Sequence, residues 1–518
     1  MTRVSSVVKK DLYRDSIFLM KLSSQASRES GVEMVSAMMA TDRNKDLFTE
    51  SGLMTPEIAA AKPNDLAIVI RGDENRVEAA IALVTRLLDE EPERRNQGSA
   101  ADRIPASLRQ ARRADPGLNL ALISVAGDFA RYEAAEAIAL GMDVMLYSDN
   151  ISLEDELSLK RFAQKRGRMV MGPDCGTAII DGTPLAFANR VRKGPIGAVG
   201  ASGTGLQEVT CLLDRMGVGV GQAYGTGGRD LKDAIGGIAT LAALDRLGGD
   251  PAVEALVILG KPPGMATRKK LLAKIREIDK PAFVHYLGAE DYADEEKAGM
   301  ATARDLEELA VKAAGQVRPG ARLPGADLPP PPPPPAKKGL LRGIFGGGTL
   351  CLEAAVICGG MLLGPKASNL SVPGYAKISG RDGFAGHVFL DLGEDEFTIG
   401  KPHPMMAPDF KMDRIAAALS EPGVGVVLMD IVIGYGSHPR QAELVLEALA
   451  RAETASGGKS REKIVVASVT GVDADNPDRE SQARLLREGG VTVLASNARA
   501  ARWAARAATG GTGADDGG

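Results

Sequence analysis

The chain is poor in the groups that most often announce a chemistry. Its 518 residues include 4 histidines, 4 cysteines and 1 tryptophan, and aromatic residues make up only 4%. No HxH, HExxH or CxxC spacing occurs, and Cys175, Cys211, Cys351 and Cys358 are not spaced as metal ligands, so no metal is expected. GxxxxGK[ST] is missing, which removes support for triphosphate hydrolysis on a P-loop. Few aromatics and a net charge of −4 argue against nucleic acid as a partner, by stacking or by bulk attraction. No apolar run reaches membrane-spanning length, and no signal-peptide pattern precedes the first acidic residues. The expectation is a cytoplasmic protein with reduced thiols and no membrane contact.

Glycine and proline are what the chain has in quantity, 61 and 29 residues. Seven consecutive prolines, Pro329–Pro335, resist helix and sheet and form a stiff spacer between two folded parts. The expected organisation is an amino-terminal α/β region with a basic linker over 1–117, then a Rossmann-type domain over 118–191. A flavodoxin-like domain follows over 192–322, the proline-rich linker over 323–336, a further α/β domain over 337–508 and a disordered tail over 509–518.

The fold class is α/β with several parallel-sheet domains. Strand and helix patterns alternate from Leu118–Val125 to Ala282–His285, and again from Leu341 to Leu494. In the amino-terminal region, 15–20 reads as a strand leading into a helix near Ser23–Ser30. Val32–Met38 and Leu66–Arg71 read as further strands, and Ala79–Leu88 as a helix. Arg103, Arg109, Arg112 and Arg113 mark the basic linker, either a spacer or a docking segment.

Several glycine turns lie where a strand hands over to a helix. In Gly200-Ala201-Ser202-Gly203-Thr204-Gly205, unpaired N–H groups and the helix dipole favour an oxyanion, and Ser202 and Thr204 add hydroxyl donors. Thr226, Gly227, Gly228 and Arg229 form a second such turn, and the two turns are candidates to clamp one phosphate. A purely structural turn is the alternative at both places. Gly172-Pro173-Asp174-Cys175 closes a strand at the edge where parallel sheets bind ligands, which makes these residues ligand-lining candidates or a structural turn, with a catalytic thiol as a further alternative for Cys175. Gly347, Gly348 and Thr349 repeat the glycine-to-helix pattern after the spacer, again as an anion site or as a capped helix start. Asp391, Lys401 and His403 cluster in one short stretch, and Asp430 ends an apolar strand. His403, Asp391 and Asp430 are the candidate catalytic acid–base groups and Lys401 a candidate charge partner, against structural roles for each.

Residues about 118–315 resemble the alpha subunit of succinyl-CoA synthetase, and about 337–505 resemble the CoA-ligase-type domain of its beta subunit. The sharpest stretches are GPDCG, GASGTG, GTGG and FGGGTLC. With KKDLYRDSIFLM and MMATDRNKD at the amino terminus, the whole is similar to the FdrA family. The resemblance implies a succinyl-CoA synthetase-like arrangement without an ATP-grasp domain. The family's phosphorylated histidine has no counterpart, because Lys297–Thr302 contains none. The resemblance further implies the large component of a carbamoyltransferase of purine and allantoin catabolism, working with two further subunits. Such an enzyme moves a carbamoyl group between an amide such as oxamate and phosphate. Phosphate or carbamoyl phosphate is then the co-substrate, and CoA a possible ligand. The alternatives are an acyl-CoA synthetase or transferase, and a non-catalytic scaffold subunit.

Overall fold

The computed structural model describes residues 2–14, 16–30, 32–89, 105–325, 339–380, 383–398 and 402–510. The run Pro329–Pro335, Arg103, Lys401 and the tail from 511 onward lie outside these residues. The chain divides into two compact units, one formed mainly by residues 1–111 and the other by the remainder.

In the smaller unit, the strands Thr2–Lys9, Leu66–Asp73 and Met34–Met39 form an antiparallel sheet with Leu66–Asp73 in the middle. The 15–20 stretch is no strand: Ser16–Ser30 is one helix. Leu19, Leu22 and Ala26 recur at helical spacing and are buried, and that periodicity decides the conformation. The strand Thr2–Lys9 escapes sequence reading because Val-Ser-Ser-Val-Val carries no clean alternation.

The described residues of the larger unit form three sheets. The first is parallel and short, with strands Leu120–Ile123, Asp143–Leu146 and Val170–Met171. The second runs Ala301–Thr302, Ala282–Tyr286, Ala255–Gly260, Ile196–Gly200, Val220–Gly225, Thr177–Ile180, Thr183–Ala186. It is parallel from Ala301–Thr302 to Val220–Gly225, and its last two strands are antiparallel. The third runs Ala376–Lys377, Lys366–Ser368, His387–Asp391, Leu340–Phe345, Val424–Val432, Ile464–Thr470, Thr492–Leu494 and is parallel throughout.

Ile196–Gly200 and Leu340–Phe345 are interior strands from which the chain passes first to one side and later to the other. Both are therefore switch points of open parallel sheets, the places where a crevice opens beyond the strands' carboxyl ends. Each strand ends in a glycine turn that starts a helix, Gly203–Arg215 in one sheet and Gly348–Gly359 in the other.

One continuous core joins the segments before and after the proline run. Leu206, Val209 and Leu213 pack in it with Leu350, Cys351, Ala354, Ala501 and Ala504. The helix Asn497–Thr509 supplies buried alanines on most of its surface, which lets the helices Gly348–Gly359 and Leu306–Val317 approach closely. Thr509, expected in the tail, closes that helix, and Gly510 caps it at φ 78°. Buried polar groups tie the same surfaces together. Asn497 Nδ2 donates to Glu353 Oε2 at 2.7 Å, Leu306 N to Glu353 Oε1 at 2.8 Å, and Asn497 N to Glu208 Oε1 at 3.0 Å. Burial raises both carboxyls, that of Glu353 to about 8.

All four cysteines are free and buried. No helix among the described residues is long and apolar enough to cross a membrane.

Candidate functional site

The two helix starts meet. Ser202 caps Gly203–Arg215, its Oγ accepting from Gly205 N at 3.1 Å. The same Oγ lies 2.5 Å from Thr349 Oγ1 in the first turn of Gly348–Gly359. The contact is reciprocal. A β-carbon on Gly205 would stand 2.9 Å from Thr349 Cγ2, and one on Gly347 would stand 2.9 Å from Thr204 Cγ2. Each helix start thus offers a glycine to the other's threonine, and a larger residue at either place would force them apart.

Asp430 holds the second turn in shape. Its Oδ1 accepts from Gly346 N at 2.9 Å and its Oδ2 from Gly347 N at 2.8 Å. The buried Lys411 Nζ donates to Asp430 Oδ1 at 2.6 Å and to Asp430 O at 2.5 Å. Both carboxylate oxygens are therefore committed, and Asp430 acts as a brace rather than as a proton-transfer group. Past the brace, no described residue accepts from the main-chain N–H of Gly203, Thr204, Gly348, Thr349 or Leu350. Ser202, Gly203, Thr204, Gly348 and Thr349 are partly exposed, so these donors border solvent.

Asp391 closes one side. A β-carbon on Gly348 would stand 2.5 Å from Asp391 Oδ2, which places the carboxyl against the start of that helix. Burial, then Glu394 and Asp430, push its pKa up to about 8, while the Gly393 N–H at 2.8 Å and Lys261 pull it down. At neutral pH the group is a protonated acid and a hydrogen-bond donor. Asn369 fixes the strand end on which it sits, donating to Asp391 O and accepting from Asp391 N, both at 2.8 Å.

His403 lies nearby. A β-carbon on Gly393 would stand 2.7 Å from its Nε2. Burial lowers its pKa to about 4, so the ring is neutral. Met405 N donates to its Nδ1 at 3.3 Å, which leaves the ring proton on Nε2. The imidazole is a donor toward the site, not a base. Its ring centroid is 6.0 Å from that of Phe187, which in turn is 5.5 Å from Tyr147, so the three form an aromatic wall.

The turn at 226–229 is used differently. Thr226 is fully buried, with its carbonyl accepting from Lys160 Nζ at 3.0 Å and its N donating to Gly200 O at 2.9 Å. Gly227, at φ 85°, packs so tightly that a β-carbon would stand 2.5 Å from Pro173 O. Gly228 is exposed. Arg229 Nε lies 2.8 Å from Glu156 Oε2, and its Nη2 donates to Ile151 O at 2.8 Å. Through Thr226, Gly227 and the Arg229 side chain the turn knits the sheets together, but no described residue accepts from the main-chain N–H of Gly227, Gly228 or Arg229, so these donors are as open as those of the first turn. The buried carboxylate of Asp230 completes the job, accepting from Lys160 Nζ at 2.7 Å and Thr240 N at 2.9 Å.

In the 172–175 turn, Gly172 is at φ 105° and Asp174 at φ 55°. Cys175 is buried, and desolvation raises its thiol to about 12, so it is no nucleophile at neutral pH. Asp174 faces solvent on one side. Confinement by the protein on the other, then Asp149, Asp395 and Glu394, raise its carboxyl above the ordinary range. Asp149, Glu394 and Asp395 are exposed, and together the four form an acidic rim. A cleft of about 400 Å³ lies beside Asn369, with Lys377, Ser379, Glu394, Asp395 and Glu396 in its lining.

Lys261, exposed at the end of the strand Ala255–Gly260, is the cation whose field reaches Asp391. It went unnoticed in the sequence, and its position directly after an apolar strand was the available signal. Tyr147, Phe187 and Thr177 were also missed, because only the fold brings them to the turns.

Residues 344–507 match a family model described as CoA-ligase, and residues 1–105 match one described as AllF, heavy metal-associated domain. Residues 1–105 contain neither cysteine nor histidine, and no metal-holding cluster exists among the described residues. That segment therefore lacks the thiolate and imidazole ligands that most often hold such a metal. Over 175 residues the chain is 28% identical to the succinate–CoA ligase [ADP-forming] subunit alpha of Methanothermobacter thermautotrophicus, which covers 33% of this chain and 58% of that subunit. It is 26% identical to the ADP-forming sulfoacetate-CoA ligase subunit SauD of Bilophila wadsworthia, over 43% of this chain and 80% of that one. The protein YahF of Escherichia coli (strain K12) is 38% identical over 505 residues, 95% of this chain and 96% of YahF. At that identity over almost the full length of both chains, this protein belongs to the same family as YahF.

Proposed function

We propose that this chain catalyses acyl transfer of the acyl-CoA synthetase type, with a phosphoryl group held where the helices Gly203–Arg215 and Gly348–Gly359 begin side by side. The contact of Ser202 with Thr349 carries the reading, because it joins two sets of open N–H donors into one edge. Two positive helix ends at one place favour a multiply charged oxyanion. In the direction of acyl phosphate formation, a phosphate oxygen bonds to the carbonyl carbon of the acyl donor. The bond from that carbon to the donor's sulfur breaks, and the sulfur leaves with the electron pair. Asp391 and His403 Nε2–H donate to developing negative charge, and Lys261 balances the phosphate.

The test is phosphate-dependent release of free thiol from short acyl-CoA esters, with acyl phosphate trapped as hydroxamate. Thiol release that needs phosphate, and that falls in Ser202→Ala, supports the reading. Thiol release indifferent to phosphate, together with no calorimetric binding of phosphate, overturns it.

One observation favours a second reading, transfer of a carbamoyl group between an amide such as oxamate and phosphate, in company with two partner subunits. Lys297–Thr302 contains no histidine to relay a phosphoryl group, so a route from nucleotide is not provided. Carbamoyl phosphate and free oxamate formed from N-carbamoyl-oxamate and phosphate by the chain with co-purified partners, the amide nitrogen leaving as the phosphate oxygen bonds to the carbamoyl carbon, and no thiol release from acyl-CoA, would select this reading.

A further inference from the structure

Three of the four glycines at the two helix starts are packed against a neighbour. A β-carbon on Gly205 would meet Ser202 Oγ at 2.4 Å, one on Gly347 would meet Thr204, and one on Gly348 would meet Asp391 Oδ2 at 2.5 Å. Gly203 differs. The place its β-carbon would take has a single atom within 4 Å, Thr177 Oγ1 at 3.8 Å. Gly203 therefore leaves a notch, and one hydroxyl borders it.

That hydroxyl is itself without a partner. Thr177 opens the strand Thr177–Ile180 and is 1% exposed. Among the described residues, nothing lies within hydrogen-bond reach of its Oγ1. A buried polar group without a partner works against folding, and such groups concentrate where a ligand completes the bonding. The neighbouring main chain is satisfied independently of the hydroxyl: Thr177 O accepts from Cys175 Sγ at 3.6 Å, so the strand position does not explain it.

We infer that the Gly203 notch is the seat of one phosphoryl oxygen and that Thr177 Oγ–H is its ligand, a binding residue additional to Ser202, Thr204 and Thr349. The inference rests on the function proposed above and makes it more specific. The oxygen accepts from the Thr177 hydroxyl on one side and from the open Gly203 N–H on the other. A glycine is required at 203 because any side chain fills the notch. It is not required by backbone conformation, since Gly203 is in ordinary helical geometry as the first residue of its helix. The chemistry recognised is a tetrahedral phosphoryl group, whether free phosphate, an acyl phosphate or a phosphate of CoA.

Two variants separate ligation from folding. Thr177→Val keeps the shape and removes the hydroxyl. Gly203→Ala adds a β-carbon at ordinary contact distance and improves the helix. Both are expected to melt at or above the wild-type temperature and to bind more weakly by about tenfold or more, while Thr177→Ser retains wild-type affinity. Calorimetric titrations use inorganic phosphate, acetyl phosphate and CoA in separate arms. Equal losses for the first two with CoA unaffected assign the notch to the transferred phosphoryl group; a loss confined to CoA assigns it to a CoA phosphate. Wild-type affinity of both variants for all three probes overturns the inference and leaves the proposed function standing. No binding of any probe by the wild-type chain overturns both.

Discussion

Ser202 Oγ and Thr349 Oγ1 stand 2.5 Å apart although 147 residues separate them in the chain. Each hydroxyl stands at the start of a helix that leaves the interior strand of its own sheet, Ser202 as the cap and Thr349 in the first turn. The contact therefore registers two sheets, and it does so at the edge where both expose unpaired N–H groups. Ser202→Ala removes a helix cap as well as the contact, at a cost of about 0.5–2 kcal/mol in stability. Thr349→Val removes only the contact. Phosphate affinity is expected to drop about tenfold in each, and the double variant is expected to lose less than the sum. A double-mutant cycle on the calorimetric Kd measures this coupling.

The pair Asp430 and Lys411 is buried, so breaking it is expensive. Lys411→Met leaves a carboxylate in the core with only main-chain donors, and the expected loss is about 3–5 kcal/mol in urea unfolding. Asp430→Asn should destabilise as well, by stranding the ammonium group. The combination of both substitutions should recover part of the loss, which a merely exposed ion pair would not show.

Asp391 sets a pH dependence. Its pKa in the fold, about 8, lies above the 3.8 of an unperturbed aspartate. Below pH 8 the group is neutral and donates to an oxyanion; above pH 8 it is an anion and repels one. Phosphate affinity is expected to fall as pH rises through about 8, and Asp391→Asn should flatten that profile. The linkage to stability has the same sign. The folded state holds a proton that the unfolded chain releases near pH 4, so this group's contribution is complete below pH 4 and declines as pH rises toward 8. Thermal melts of wild type and Asp391→Asn across pH 4–9 read the difference.

The Arg229 side chain is structural. Arg229→Ala is expected to leave the phosphate Kd unchanged, since Arg229 is engaged with Glu156 and Ile151. Gly227→Ala is expected to reduce soluble yield or lower the melting temperature strongly. The substitution puts a β-carbon on Pro173 O and strains a backbone at φ 85°.

Much of the larger unit is legible in the sequence. Alternating apolar runs give strands such as Val424–Val432 and Ile464–Thr470, and glycine turns mark where Gly203–Arg215 and Gly348–Gly359 begin. What sequence reading misses is pairing over long separations. The 202–205 and 226–229 turns look equivalent, yet only the fold reveals that Asp230, Lys160 and Glu156 occupy the neighbourhood of the second. The same holds for Thr349: its turn reads as a helix start, and nothing local says that it faces Ser202. The helix Asn497–Thr509 carries Arg499, Arg502 and Arg506 at helical spacing, and reading misses it because its buried face is built mostly of alanine rather than of large apolar residues. The strand reading of 15–20 failed because a short apolar run fits either state until its spacing to Leu22 and Ala26 is counted.

Amide hydrogen exchange with and without phosphate tests the central claim most directly. Protection is expected together in the two segments 202–206 and 347–351. Exchange that is unaltered in both segments, or slowed in only one of them, would contradict a shared oxyanion seat.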